Sequence, residues 1–153
     1  DLEFKMLGLN PENQHLNVIV RQADQMKTLH IQGFTEKHRY IVGKYDLEIL
    51  TLPRTYIEDV EISQSHTTTI EIPQAGSATF SKLGYGYGSV YLQTKDGLEL
   101  VVDLSLTKER ESLSLQPGDY VAVFRPKQAR GSIFTVERKF KVTSGASVAV
   151  KLN

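Results

Sequence analysis

The sequence predicts an all-β chain made of two small β-sandwiches in tandem, residues 1–72 and residues 73–153. Three observations predict it: the chain repeats its own order of features, its apolar residues recur with a period of two, and Gly, Pro, Asp and Ser clusters separate the runs. Alternation places one face of each run inward, which is the signature of a half-buried strand.

In chain order, the N-terminal Phe4, Leu7 and Gly8 match Phe80, Leu83 and Gly84. Leu16, Val18, Val20, Asp24 and Met26 then fall opposite Gly88, Val90, Leu92, Asp96 and Leu98 at an offset of 72. Gly43-Lys44-Tyr45-Asp46-Leu47-Glu48-Ile49 recurs as Gly118-Asp119-Tyr120-Val121-Ala122-Val123-Phe124 at an offset of 75. Val60-Glu61-Ile62 with Ser65, Ile70 and Ile72 is matched at an offset of 80 by Phe140-Lys141-Val142 with Gly145, Val150 and Leu152. Length changes confined to turns are what two copies of one domain produce, and the join falls at Pro73-Gln74-Ala75-Gly76.

The turns carry their own chemistry. Asp96-Gly97 suits a tight hairpin, Gln116-Pro117-Gly118 a turn into a strand, and Thr143-Ser144-Gly145 a further hairpin. Thr107-Lys108-Glu109-Arg110-Glu111 is rich in helix formers, yet Leu104, Leu106, Leu113 and Leu115 alternate on both sides of it, so it reads as a polar loop. The expected core is Val18, Val20, Tyr45, Leu47, Ile49, Ile62, Ile70 and Ile72 in the first copy. In the second it is Val90, Leu92, Tyr120, Ala122, Phe124, Val142, Val150 and Leu152.

Composition narrows the function classes. Of 153 residues 40% are hydrophobic and 24% charged, and no apolar run is long enough to span a bilayer as a helix. The 18 basic and 18 acidic side chains cancel, so no global field draws in nucleic acid or an anionic membrane. The halves differ, however: residues 1–72 carry 7 basic and 11 acidic side chains and residues 73–153 carry 11 and 7. With no cysteine there is no disulfide framework, thiolate nucleophile or Cys-ligated metal. The chain begins with Asp1 and reads as a mature or excised piece of a longer precursor.

The run Pro117-Gly118-Asp119-Tyr120-Val121-Ala122-Val123, followed by Phe140-Lys141-Val142, the Ser144-Gly145 turn and Val148-Ala149-Val150, resembles transthyretin-like, carboxypeptidase-regulatory-like β-sandwiches. The first copy departs from the pattern where Val42 replaces the proline before Gly43 and Ser65 replaces the turn glycine. Tandem modules of this type also lie C-terminal to von Willebrand A-type domains in bacterial envelope proteins, and the chain looks similar to such a tail. The resemblance implies a prealbumin-like sandwich in each copy and a non-catalytic accessory role in adhesion or as a stalk. It also implies an extracytoplasmic location: periplasmic, cell-surface or secreted. The implied partners are a protein or polysaccharide of the cell envelope or host surface, and a neighbouring domain of the precursor.

Two segments are candidates for ligand binding. In extended conformation Tyr85, Tyr87 and Tyr91 share a face, and the intervening Gly86 and Gly88 leave the opposite face bare for a flat polymer or a backbone to approach. The alternative is a glycine-bent connection whose tyrosines cover the sandwich edge. Arg125, Lys127 and Arg130 open a basic stretch running to Lys141 that suits an acidic glycan, a teichoic-type phosphate or a partner's carboxylates, or else forms a solvated hairpin or a face turned toward the acidic first copy.

Metal, cofactor and catalytic sites are not expected. His15, His30, His38 and His66 match no ligand spacing, and Glu58, Asp59 and Glu61 form no calcium loop. Ser63 or Ser65 with His66 and Asp59 lacks a nucleophile elbow, and no phosphate-cradling loop precedes a helix.

Overall fold

The computed structural model describes residues 1–7, 16–127 and 135–153, with the backbone alone for residues 4–7. Every regular element in it is a strand. The chain divides into two compact units, Asp1–Gln74 and Ala75–Asn153.

In the first unit the strands are β1 (Leu2–Leu7), β2 (Asn17–Gln22), β3 (Thr28–Gly33), β4 (Gly43–Ile49), β5 (Thr55–Ile62) and β6 (Thr68–Pro73). Four form an antiparallel sheet in the order β3-β2-β4-β5, and β1 pairs with β6 in parallel. The second unit has β7 (Gly76–Ser81), β8 (Gly86–Thr94), β9 (Gly97–Asp103), β10 (Arg110–Leu115), β11 (Gly118–Pro126), β12 (Val136–Val142) and β13 (Ser147–Lys151). Its larger sheet runs β12-β11-β8-β9, and its smaller one runs β10-β7-β13 with β7 and β13 parallel. The strand order is the same in both once β10 is set aside. Where the second unit has β10, the first has a single antiparallel bridge in which Leu2 and His38 exchange backbone hydrogen bonds of 2.7 and 3.1 Å.

Register makes the correspondence specific. Gly43 and Tyr45 face Ile62 and Val60, as Gly118 and Tyr120 face Val142 and Phe140, which are the offsets of 75 and 80. For β2 and β8 the ladder gives 70 rather than 72: Val20 pairs with Leu47 as Val90 pairs with Ala122. A slip of two keeps every side chain on its face, so the apolar pattern alone does not detect it. The tyrosines are pinned alike, Tyr45 donating its hydroxyl hydrogen to the carbonyl of Ile41 at 2.6 Å and Tyr120 to that of Gln116, four residues upstream in each case.

Alternation explains the core. Val18, Val20, Tyr45, Leu47, Ile49, Ile62 and Ile72 are buried in the first unit, and Val90, Tyr120, Ala122, Phe124, Val142, Val150 and Leu152 in the second. Ile70 and Leu92 are half-buried instead, Ile70 on a strand with one partner and Leu92 near the end of β8. The core also takes Leu2, Phe34, Val60, Ala78, Phe80, Leu104 and Leu115. In the second unit Phe140 of β12 stacks on Tyr120 and meets Phe80 of β7 edge-on, both at 5.5 Å, so an aromatic row links the two sheets. This is sandwich packing, one sheet's apolar face against the other's.

Two turn expectations need correction. Arg110 and Glu111 are not loop residues but open β10, because Leu113 and Leu115 continue a strand that antiparallel β7 can pair. Thr143-Ser144-Gly145 does not close a hairpin: β12 belongs to the larger sheet and β13 to the smaller, so the turn carries the chain from one to the other. Gly145 there has φ 69° and Ser65 has φ 59°, so the serine of the first unit occupies the left-handed position its counterpart fills with glycine.

Candidate binding face of the second unit

The larger sheet of the second unit buries Tyr120, Ala122 and Phe124 of β11, so Asp119, Val121, Val123 and Arg125 turn outward. Cross-strand register then decides what accompanies them. Tyr87 is the partner of Arg125, Tyr91 of Val121, and Ser89 of Val123, while Lys139 lies opposite Val121 on β12. One outward face thus carries Tyr87, Tyr91 and Arg125, with Tyr87 61% exposed and Tyr91 half-buried. On β9, Leu98 and Leu100 extend this face as the partners of Gln93 and Tyr91.

The other candidates are placed differently. Tyr85 precedes β8 in a bend, with its ring exposed and its carbonyl accepting the backbone N–H of Lys127 at 3.0 Å. Lys127 sits in the turn after β11, and Arg130 lies outside the described residues.

The glycines do not leave a bare face for a ligand. Gly86 and Gly88 are buried, and a Cβ at Gly86 would stand 2.5 Å from both the Arg125 carbonyl oxygen and the Phe124 ring. At Gly88 it would meet Leu104 at 2.9 Å. The space opposite the tyrosines is therefore filled by the unit's own core.

Sequence reasoning missed two buried charges. Lys82, 3% exposed, donates from its ammonium to the Ser105 carbonyl and stands 5.7 Å from the centre of the Phe124 ring. Desolvation holds its pKa below the ordinary lysine value, with the Glu111 carboxylate acting in the opposite sense. In the first unit Glu48, 5% exposed on β4, accepts from Arg21 Nη1 at 2.9 Å, Arg54 Nη1 at 2.6 Å and the Tyr56 hydroxyl at 3.3 Å. Glu48 does not stand out in sequence, because it sits in an alternating strand near Lys44 and Asp46; Lys82, just past the end of β7, continues the inward phase of Ala78 and Phe80, a signal that alternation could have supplied. Asp46, also on β4, accepts the backbone N–H groups of Asp24, in the turn after β2, and Asp59, within β5, both of which have left-handed backbone.

The hydrogen bond from Arg21 holds the Glu48 carboxyl below its ordinary 4.5, and Arg54 acts in the same sense against the cost of burial. A depressed folded value gives stability that is complete above the ordinary value and is lost as pH falls through the folded one. Glu48→Gln should destabilise by about 1–3 kcal/mol at neutral pH, the cost of leaving a charged partner unmatched. In urea titrations the gap from the parent should close below pH 4.5, where Glu48 itself is protonated on unfolding.

The histidines form no metal cluster: among the described residues no three His, Cys, Asp or Glu side chains are placed to hold an ion. His30 and His38 stack at 4.1 Å beside Tyr40, which tilts against Tyr45, and His66 sits at the surface with Nδ1 2.7 Å from the Gln64 carbonyl. His15 lies outside the described residues. Among those residues no helix is long and apolar enough to cross a membrane.

No protein-family model matches the chain, and no curated protein matches its sequence. Among solved structures it is similar to the Bacillus anthracis TIE protein, with 12% identity and a TM-score of 0.42 over 99% of this chain and 33% of that one. A C-terminal fragment of the pilus adhesin SpaC from Lactobacillus rhamnosus GG gives 9% identity and 0.33, covering 99% of this chain and 95% of the fragment. The SpaC adhesin itself gives 8% and 0.31, covering 98% and 31%. The chain spans about a third of the TIE protein chain, and likeness at these values carries no argument about function.

Proposed function

We propose that the chain is a non-catalytic, load-bearing part of an extracytoplasmic surface protein, built of two copies of one transthyretin-like module, 1–72 and 73–153, and acting as a stalk in adhesion. The observation that supports this reading is the pairing of each unit's first and last strands. β1 runs parallel to β6, from Leu2 opposite Thr68 to Leu7 opposite Pro73, and β7 runs parallel to β13, from Ser77 opposite Ser147 to Ser81 opposite Lys151. A chain that enters along one strand and leaves along its parallel neighbour enters and exits at opposite ends of the unit. Tension then drags the two strands past each other and loads their hydrogen bonds together, whereas a hairpin pulled at its open end releases them one at a time.

Single-molecule pulling through residues 1 and 153 tests this. Two unfolding steps are expected, each releasing roughly 25 nm of chain at about 3.4 Å per residue. Both should need more force than the β8–β9 hairpin does when pulled through its paired residues Ser89 and Asp103. Forces no higher than that control would sink the stalk reading.

The placement of Tyr87 opposite Arg125 on an exposed face favours a second reading, a module for a carbohydrate or anionic polymer with Tyr85, Tyr87, Tyr91, Arg125, Lys127 and Arg130 as its contacts.

A further inference from the structure

We propose that the outward face of β8, β11 and β12 binds an acidic sugar, one ring bearing a carboxylate or sulfate, in a depression that lies over Val121 and is walled by Lys139 and Lys141. The proposal deepens the second reading by moving its anion contact away from Arg125, and it does not depend on the stalk reading.

The depression measures about 520 Å³, within the range of small-ligand sites. Of the residues lining it, Gln93, Asp119, Val121, Lys139 and Lys141 are on the outward side by alternation and register. Val121 is 2% exposed although it faces outward, because its neighbours across the sheet are the long side chains Tyr91 and Lys139. Tyr91 and Lys139 thus cover Val121, and the surface of the depression above it is made by the long side chains around it.

The polar groups are arranged for a hydroxylated anion. Lys139 and Lys141 are exposed, two residues apart on one strand and on one face, and neither is in an ion pair among the described residues. Asp119 lies opposite Lys141 in register without pairing to it, so its carboxylate remains an acceptor for sugar hydroxyls. Gln93 donates its amide N–H to the Thr94 carbonyl at 3.2 Å, which leaves its side-chain oxygen as another acceptor. Two ammonium groups bind the charge, two acceptors take ring hydroxyls, and the half-buried Tyr91, beside the depression as the cross-strand partner of Val121, offers its ring to the apolar face of the sugar. A phosphodiester backbone without hydroxyls would use the lysines and leave both acceptors without donors, whereas an acidic peptide has backbone N–H groups to offer and is distinguished by the titration below.

The test is an amide NMR titration of the whole chain with four oligomers of equal length: a polyuronate, a sulfated saccharide, a neutral saccharide and a glutamate peptide. Shifts at Val121, Tyr91 and Lys139 are expected with at least one acidic saccharide, and the tighter of the two identifies the group as carboxylate or sulfate. Lys139→Gln with Lys141→Gln should weaken binding by about tenfold or more, and added salt should weaken the parent in parallel. Lys139→Arg with Lys141→Arg should keep most of the affinity, and unchanged shifts elsewhere report that the variants are folded. No shifts at millimolar saccharide, equal binding of the neutral saccharide or the peptide, or unchanged affinity in the glutamine variant would each overturn the proposal. Binding lost in Tyr87→Ala but kept in the glutamine variant would instead leave the Tyr87–Arg125 platform standing, and none of these results bears on the pulling experiment.

Discussion

Tyr120→Ala should lower stability by about 3–5 kcal/mol, the range for truncating a large buried aromatic. The side chain is 1% exposed, its ring stacks on Phe140, and its hydroxyl donates to the Gln116 carbonyl. Removing the ring opens a cavity where β11 meets β12 and strands Phe140 between an empty site and Phe80. Tyr120→Phe separates the two contributions, since it keeps the ring and deletes one hydrogen bond, for about 0.5–1.5 kcal/mol. Burial of the ring pushes the phenol up to about 12, so the hydroxyl stays protonated across the ordinary range and the difference between the parent and Tyr120→Phe should not vary between pH 5 and 9. Urea unfolding followed by far-UV circular dichroism measures all three chains. An alanine variant within about 1 kcal/mol of the parent would mean that β11 does not turn Tyr120 inward.

The second large effect is at Gly86. Gly86→Ala places a methyl group 2.5 Å from a backbone oxygen and from the Phe124 ring, and the backbone oxygen belongs to β11, which is held in its ladder by β8 and β12. Overpacking of this kind costs about 1–3 kcal/mol, and the rigid neighbour sets it at the upper end. Gly97→Ala, where nothing lies within 4 Å but φ is +124°, should show only the cost of the left-handed backbone. Comparing thermal midpoints of the two variants distinguishes steric crowding from backbone strain. If Gly86→Ala melts with the parent, the inward face of β8 has room and the bare-face view of the glycines returns.

Both results bear on how Leu83 to Tyr91 is read. Alternation in the sequence shows that Tyr87 and Tyr91 share a face and that the glycines occupy the other. It does not say which face meets water. Phe124 and Leu104, which lie 38 and 16 residues further on than Gly86 and Gly88 respectively, decide that by filling the glycine side. The same dependence on distant chain explains Glu48: a charge in an alternating strand is an outward residue by pattern, and its burial follows from what lies across the sheet or above it, whereas Lys82 continues the inward phase of Ala78 and Phe80 just past β7. Glu48 is enclosed because Arg21 and Tyr56 arrive from the neighbouring strands β2 and β5, and Arg54 from the residue just before β5.

By itself the sequence determined the local and periodic properties of this protein. These are the strands around Gly43–Ile49 and Gly118–Phe124, the inward set Tyr45, Leu47 and Ile49 with Tyr120, Ala122 and Phe124, and the offsets of 75 and 80 between matching segments. They are legible because side-chain direction in a strand has a period of two and turn residues have fixed backbone needs. Tertiary structure alone decided the rest: the offset of 70 between β2 and β8, the crossing from β12 to β13, the pairing of first and last strands, and the meeting of Tyr91, Val121, Lys139 and Lys141 on one face. Each of these is a choice of partner between residues far apart in the chain. Alternation leaves such choices open, because a shift of two residues or a different neighbouring strand satisfies it equally well.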